Sequence, residues 1–190
     1  MSSVWKGTLV TAAIFCCYCQ LAAQGINKVE NQENTLHHRV ALVMAHSYIP
    51  AANEVNGETT IFIAPTIGFN YELWLNEKWA VGLHNDFIIQ SFNIENENSK
   101  PHIKREYPIL SALVAVYKPG NHWTFFGGPG KEFEKNENFN VIKTGLEYGV
   151  ALPGSFEVSF GLEYDTKIKG YDSWLAGIGI SKNFFHHRSR

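Results

Sequence analysis

The chain has 190 residues, 14% aromatic and 18% charged, with a formal net charge of -2, which suits a single domain and excludes the basic field that a nucleic-acid partner requires. All three cysteines, Cys16, Cys17 and Cys19, precede Gln20. The remainder therefore has no thiol for a disulfide, a Cys-ligated zinc or a Cys nucleophile.

In chain order, the first element carries a charge at Lys6, an apolar run over 8–19, and then Leu21, Ala22 and Ala23. This is the pattern of a secretory signal peptide over 1–23, with cleavage after Ala23 or one residue later. The apolar run is shorter than the roughly 18 residues a spanning helix needs. A lipoprotein would place a small residue before the modified Cys19, where Tyr18 stands. Residues 24–36 are rich in Asn, Gln and Glu and read as a polar periplasmic leader.

Runs of β-branched, aromatic and glycine residues then recur over 37–49, 59–75, 78–92, 105–118, 121–134, 139–152, 155–166 and 171–185. Each is long enough to cross a bilayer as a tilted strand, for which about 9 to 11 residues suffice. Asn76-Glu77, Pro119-Gly120 and Pro153-Gly154 form tight turns between runs. The other connections, 50–58, 93–104, 135–138 and 167–170, are longer or more polar. Short turns alternating with longer loops, on an even strand count, mark an up-and-down membrane barrel with both termini in the periplasm. The prediction is an all-β, eight-stranded antiparallel transmembrane barrel over 37–185, followed by a C-terminal tail over 186–190.

The period-two alternation defines two faces. In the seventh run Phe156, Val158, Phe160, Leu162 and Tyr164 oppose Glu157, Ser159, Gly161, Glu163 and Asp165. The second run sets Ile63, Pro65, Ile67, Phe69 and Tyr71 against Thr66, Gly68, Asn70 and Glu72. The sixth and eighth runs alternate likewise. An eight-stranded barrel has an interior just wide enough for side chains to fill, so the face of glycines and paired charges belongs inside and the bulky face toward lipid. Aromatics near run ends, Trp74, Trp79, Tyr117, Trp123, Tyr148, Tyr164 and Trp174, suit the interfacial girdles. Asn85 falls on the lipid face, Pro129 predicts a bulge or a strand end, and the first run fits either phase.

The predicted inner face carries His84 and Asp86 on the third run, Arg105 on the fourth, Glu132 and Glu134 on the fifth, Lys143 and Glu147 on the sixth, and Glu163 on the seventh, together with Glu72. A His among carboxylates is acid/base material. Buried charges must also be paired, and an ion-pair network filling a narrow lumen is the preferred reading. No catalytic group, metal or cofactor is predicted. His37-His38 and His186-His187 are adjacent pairs, which a strand points to opposite faces, and the GGPG stretch at 127–130 lacks the GK[ST] of a phosphate loop.

The stretches PTIGFNYELW (65–74), WAVGLHNDF (79–87), GGPGKEFE (127–134), TGLEYGV (144–150) and WLAGIGISKNFF (174–185) resemble the small bacterial outer-membrane β-barrel domain proteins of the OmpX-like type. The resemblance implies a bacterial outer-membrane location, outer-membrane lipid as surroundings, and assembly by barrel-insertion machinery that reads an aromatic-ended last strand, here Phe184 and Phe185. It implies a monomer in a non-enzymatic, structural or surface-interaction role, and eight strands leave no open pore. Two alternatives stay open. Some eight-stranded outer-membrane barrels are lipid A-modifying hydrolases with a rim His and Ser, and His46-Ser47 invites that comparison; a soluble lipocalin-like periplasmic carrier would turn the apolar face inward.

Overall fold

The computed structural model describes residues 36–50, 52–53, 62–96, 100–135 and 137–185. The expected signal peptide, most of the leader and the tail lie outside the described residues. Among the described residues eleven strands form: β1 (His37–Ile49), β2 (Ala52–Asn53), β3 (Phe62–Trp74), β4 (Trp79–Ile88), β5 (Phe92–Asn96), β6 (Lys100–Arg105), β7 (Ile109–Tyr117), β8 (Trp123–Phe133), β9 (Phe139–Leu152), β10 (Phe156–Lys167) and β11 (Asp172–Phe185). Eight of them close in the order β1-β11-β10-β9-β8-β7-β4-β3, with every neighbour antiparallel, and β2, β5 and β6 make a separate three-stranded sheet. Closure leaves the barrel no edge strand to manage. The tight connection after β9 needs two successive left-handed residues, Gly154 at φ 79° and Ser155 at φ 64°.

The sidedness is inside-out. Phe160 is 54% exposed and Glu163, three residues on, is 3% exposed. Leu42, Met44, Ile63, Phe69, Leu83, Leu113, Phe125, Ile142 and Ile180 also face outward. A soluble lipocalin-like barrel would enclose these side chains, so that alternative is overturned. The phase of β1 is settled by its register: Arg39, Ala41, Val43, Ala45 and Ser47 point in, while Leu42, Met44, His46 and Tyr48 point out.

Four expectations change. The fourth run was expected from residue 105, but β7 begins at Ile109, because Tyr107 adopts a left-handed φ of 47° before Pro108, which has no N–H to continue a ladder. Arg105 therefore lies on β6, outside the barrel wall. The 93–104 connection folds as the β5–β6 hairpin in place of a loop. Trp74 is 4% exposed and not a girdle residue. It follows Glu72 by two positions, and strand parity carries it inside. At Pro129 there is no bulge and β8 runs on. Ala112↔Gly130 and Ala115↔Gly127 keep one register on either side of a gap in the ladder, as a residue lacking an N–H produces. The glycines let β7 approach closely there: a Cβ on Gly128 would collide with the Leu113 carbonyl.

The girdle residues that do face outward gather at the two ends of the wall. Trp79 packs tilted against Tyr117 at 4.5 Å, and Trp123 meets Tyr148 edge-on at 5.1 Å, at one end; Tyr164 packs tilted against Trp174 at 4.5 Å at the other. Asn85 does sit on the apolar face, but its amide is satisfied locally. It donates to the Phe69 carbonyl at 3.0 Å and accepts from the Ser111 hydroxyl at 2.8 Å.

The polar interior as candidate functional site

Inward-pointing residues of every barrel strand meet along the axis, and cations from β1, β6, β9 and β10 organise them. Arg39, at the start of β1, donates to Glu72 at 2.9 Å, to Glu147 at 3.0 Å, to Glu157 at 3.3 Å and to the Ser181 hydroxyl at 2.9 Å. The planar guanidinium has five donors in a fixed fork, so one side chain ties β1 to β3, β9, β10 and β11. Glu72 also meets His84 Nε2 at 3.1 Å and accepts from Trp74 Nε1 at 3.0 Å. From the turn after β7, Lys118 reaches Glu157 at 2.7 Å.

Farther along the axis Lys143 is fully buried among three carboxylates: Asp86 at 2.7 Å, Asp165 at 3.2 Å, and Glu163. Lys167 continues the chain, 3.9 Å from both Asp165 and Glu132 and bonded to the Ser173 hydroxyl. Arg105 comes down from β6 to pair with Glu132, reaches Glu134 at 3.4 Å, and donates to the Glu137 carbonyl at 2.5 Å. Tyr171 donates to Glu132 at 2.8 Å. Burial pushes its phenol well above the ordinary tyrosine value, and the neighbouring carboxylate acts in the same direction.

The space left by ions is filled with carbon. Phe126 points inward, its ring edge-on to His84 at 4.7 Å, and lies where a Cβ on Gly145 would be. It joins Trp74, Ala80, Leu110, Ala112, Val114, Val116 and Val141 in an apolar inner wall. A second cluster of Ile49, Phe62, Ala64, Ile88, Phe92, Ile94, Phe139 and Tyr171 stops the mouth, with Phe92 and Ile94 supplied by β5. The hairpin is thus a plug anchored through carbon by β5 and through charge by Arg105.

Glu72, His84, Asp86, Arg105, Glu132, Lys143, Glu147 and Glu163 are all buried. They do not form one constellation. Glu72, His84 and Glu147 gather around Arg39, Asp86 and Glu163 around Lys143, and Glu132 with Arg105, bridged to the second group through Lys167 and Asp165. Sequence reasoning missed Arg39, because the first run could be read in either phase, and left Lys167 to a connection although parity from Glu163 leads through Asp165 to it. Phe184 and Phe185 end β11 exposed. His46 faces outward while Ser47 points in and is hydrogen-bonded to Thr66 at 2.7 Å. Among the described residues no three His, Cys, Asp or Glu side chains converge as a metal would require.

Neutralising Glu72 tests the network. Glu72→Gln keeps one acceptor for three donors and is expected to lower the unfolding free energy by about 1–3 kcal/mol. Glu147→Gln should cost less, since Glu147 is one of three carboxylates on Arg39. Urea unfolding of the barrel in lipid vesicles measures both, and two unchanged curves would remove the network as a stabilising element.

No family model and no curated protein matches the sequence. Solved structures do. The outer membrane protein OprG from Pseudomonas aeruginosa superposes with a TM-score of 0.58 at 11% identity, over 82% of this chain and 99% of that chain. The chain has the fold of a small outer-membrane β-barrel. Ail, the attachment invasion locus protein of Yersinia pestis, is 13% identical over 79% of this chain and 99% of that one, with a TM-score of 0.49. Neisserial surface protein A is 10% identical over 77% and 97%, also at 0.49. The outer-membrane barrel's greasy exterior and its ion-paired interior are one arrangement: hydrocarbon outside leaves the charged groups no place but the axis, and the narrow axis then demands that they pair.

Proposed function

We propose that the protein is a non-enzymatic integral barrel of the bacterial outer membrane, with both termini in the periplasm and its longer connections outside, serving a structural or surface-contact role. The observation that carries this reading is the combination of an outward apolar belt with an interior filled from end to end. Ion pairs around Arg39 and Lys143, the Phe126 wall and the β5 plug occupy the axis, so transport of water or solutes is not the role favoured. A lipid A-modifying hydrolase is disfavoured by His46 and Ser47, which face opposite sides of the wall. The barrel acts as a monomer surrounded by outer-membrane lipid, inserted by machinery that reads Phe184 and Phe185.

The protein is expected to fractionate with the outer membrane and to migrate on SDS gels at two positions, folded without heating and unfolded after it. A membrane-impermeant maleimide applied to intact cells should label Lys135→Cys and not Lys78→Cys. Recovery in the soluble periplasmic fraction would refute the location, and the reverse labelling the orientation. Lipid A from cells with and without the protein should have identical masses; an acyl chain lost only in its presence would restore the hydrolase.

A further inference from the structure

The mouth of the barrel is built differently from the axis beneath it. Along the axis Lys143 and Lys167 stand among carboxylates. At the mouth the wall supplies carbon: Ile49 from the end of β1, Phe62 and Ala64 from the start of β3, Ile88 from β4, Phe139 from β9, and Tyr171 from the turn before β11. Beside this apolar cup Glu132 is buried, accepting the Tyr171 hydroxyl at 2.8 Å.

The protein's own hairpin fills the cup. Phe92 of β5 lies 5.3 Å from the Phe62 ring and meets Tyr171 edge-on at 5.7 Å. Arg105 of β6 pairs with Glu132, reaches Glu134 and the Glu137 carbonyl, and lies 4.7 Å over the Phe139 ring. Phe92 and Arg105 are cross-strand partners in the β5–β6 ladder, so they leave the hairpin side by side on one face, about 5 Å apart at Cβ. What the cup holds is an aromatic ring next to a guanidinium.

This occupant can be displaced. Among the described residues β2, β5 and β6 form a sheet of their own, and no ladder joins it to the barrel wall. Backbone bonds close the wall beneath it, from Ile89 to the Pro65 carbonyl at 2.9 Å and from Ile88 to the Pro108 carbonyl at 3.1 Å, so the hairpin can lift without opening the barrel. Arg105 is fully buried, yet its Nε–H finds no acceptor. The closed state carries that penalty and a lifted hairpin does not.

We propose that the mouth is a binding site for a hydrophobic cation, an aromatic ring beside a guanidinium as in an aromatic-arginine peptide, and that the β5–β6 hairpin is its built-in competitor. The ligand's ring enters the slot between Phe62 and Tyr171, and its guanidinium takes the place of Arg105 on Glu132 and over Phe139. Access from outside the cell rests on the orientation proposed above; binding itself does not.

Calorimetric titration of the detergent-solubilised barrel with phenylalanylarginine amide tests the site. Removing the competitor with Phe92→Ala and Arg105→Gln is expected to tighten binding about tenfold, the worth of about one charge-assisted hydrogen bond lost from the closed state. In that background Glu132→Gln, or the same peptide with citrulline in place of arginine, should weaken binding about tenfold. Ile94→Cys in the otherwise native barrel reads the hairpin directly. Ile94 is enclosed at the mouth, and maleimide alkylation of a thiol placed there, located by peptide mapping, should speed up when the peptide is added. This readout stands even where the double variant does not fold. Equal affinity of the native barrel and the double variant, or alkylation unchanged or slowed by the peptide, would overturn the hairpin as competitor. Absence of saturable binding by the folded double variant would overturn the site, and equal binding of the citrulline peptide its assignment to a cation. The titration is independent of the cell, so failure of fractionation and failure of binding are separate results.

Discussion

Replacing Lys143 with methionine is expected to lower the unfolding free energy by about 3–5 kcal/mol, the range found when one partner of a buried ion pair is removed. The side chain is fully buried and Asp86, Glu163 and Asp165 converge on its one ammonium. Methionine fills the volume and takes away the only charge those three share. Among the described residues four buried cations, Arg39, Arg105, Lys143 and Lys167, face seven buried acidic residues and the enclosed carboxylate of Glu134. Each cation is thus a hub, and its loss leaves several like charges facing one another, whereas loss of one carboxylate relieves repulsion as it removes attraction. Adding Asp86→Asn and Asp165→Asn to Lys143→Met should recover most of the loss. Urea unfolding of the reconstituted barrel reads both variants. A Lys143→Met barrel as stable as the native one, or a triple variant weaker than the single, would show that charge pairing is not what holds the centre.

The alternation of β10 and β3 made the eight-strand wall and its inner face legible, because period-two patterning records which side of a strand is solvated and by what. The centre of the network was legible for the same reason: Glu163 lies on a strand with an unbroken alternation, and Lys143 and Glu147 share the face opposite Ile142, Leu146 and Tyr148 on β9. Arg39 was hidden because β1 offers Val40, Leu42 and Met44 on one face and Ala41, Val43 and Ala45 on the other, so composition does not distinguish them. Only pairing with β3 and β11 selects the phase. The β5–β6 hairpin was hidden for a different reason. Its polar, Asn-rich sequence carries no period. Its two inward anchors, Phe92 and Ile94, become informative only when the barrel mouth that receives them exists. Trp74 shows the limit of reading residues by type: aromatic character suggested an interface, while parity from Glu72 placed the indole inside with a carboxylate to receive its N–H.

Arginine in place of Phe160 is expected to cost about 2–4 kcal/mol in a bilayer, while arginine in place of Leu152 should cost about 0–1. Phe160 lies near the middle of β10, on the rung that runs from Trp123 through Tyr148 and Phe160 to Ile178, Met44, Ile67 and Phe87. In a barrel of tilted strands such a rung climbs across the membrane. It starts at one aromatic end, with Trp123, and Phe160 and Ile178, 54% and 53% exposed, fall at its centre. Leu152 is the last residue of β9, next to the turn, where a guanidinium reaches water with little displacement. Both side chains point outward, so on a water-solvated barrel the two substitutions would cost equally little. The difference between them therefore measures the depth of hydrocarbon against the wall. Folding titrations in vesicles give that difference directly, and equal values for Phe160→Arg and Leu152→Arg would mean that the apolar belt faces something other than lipid.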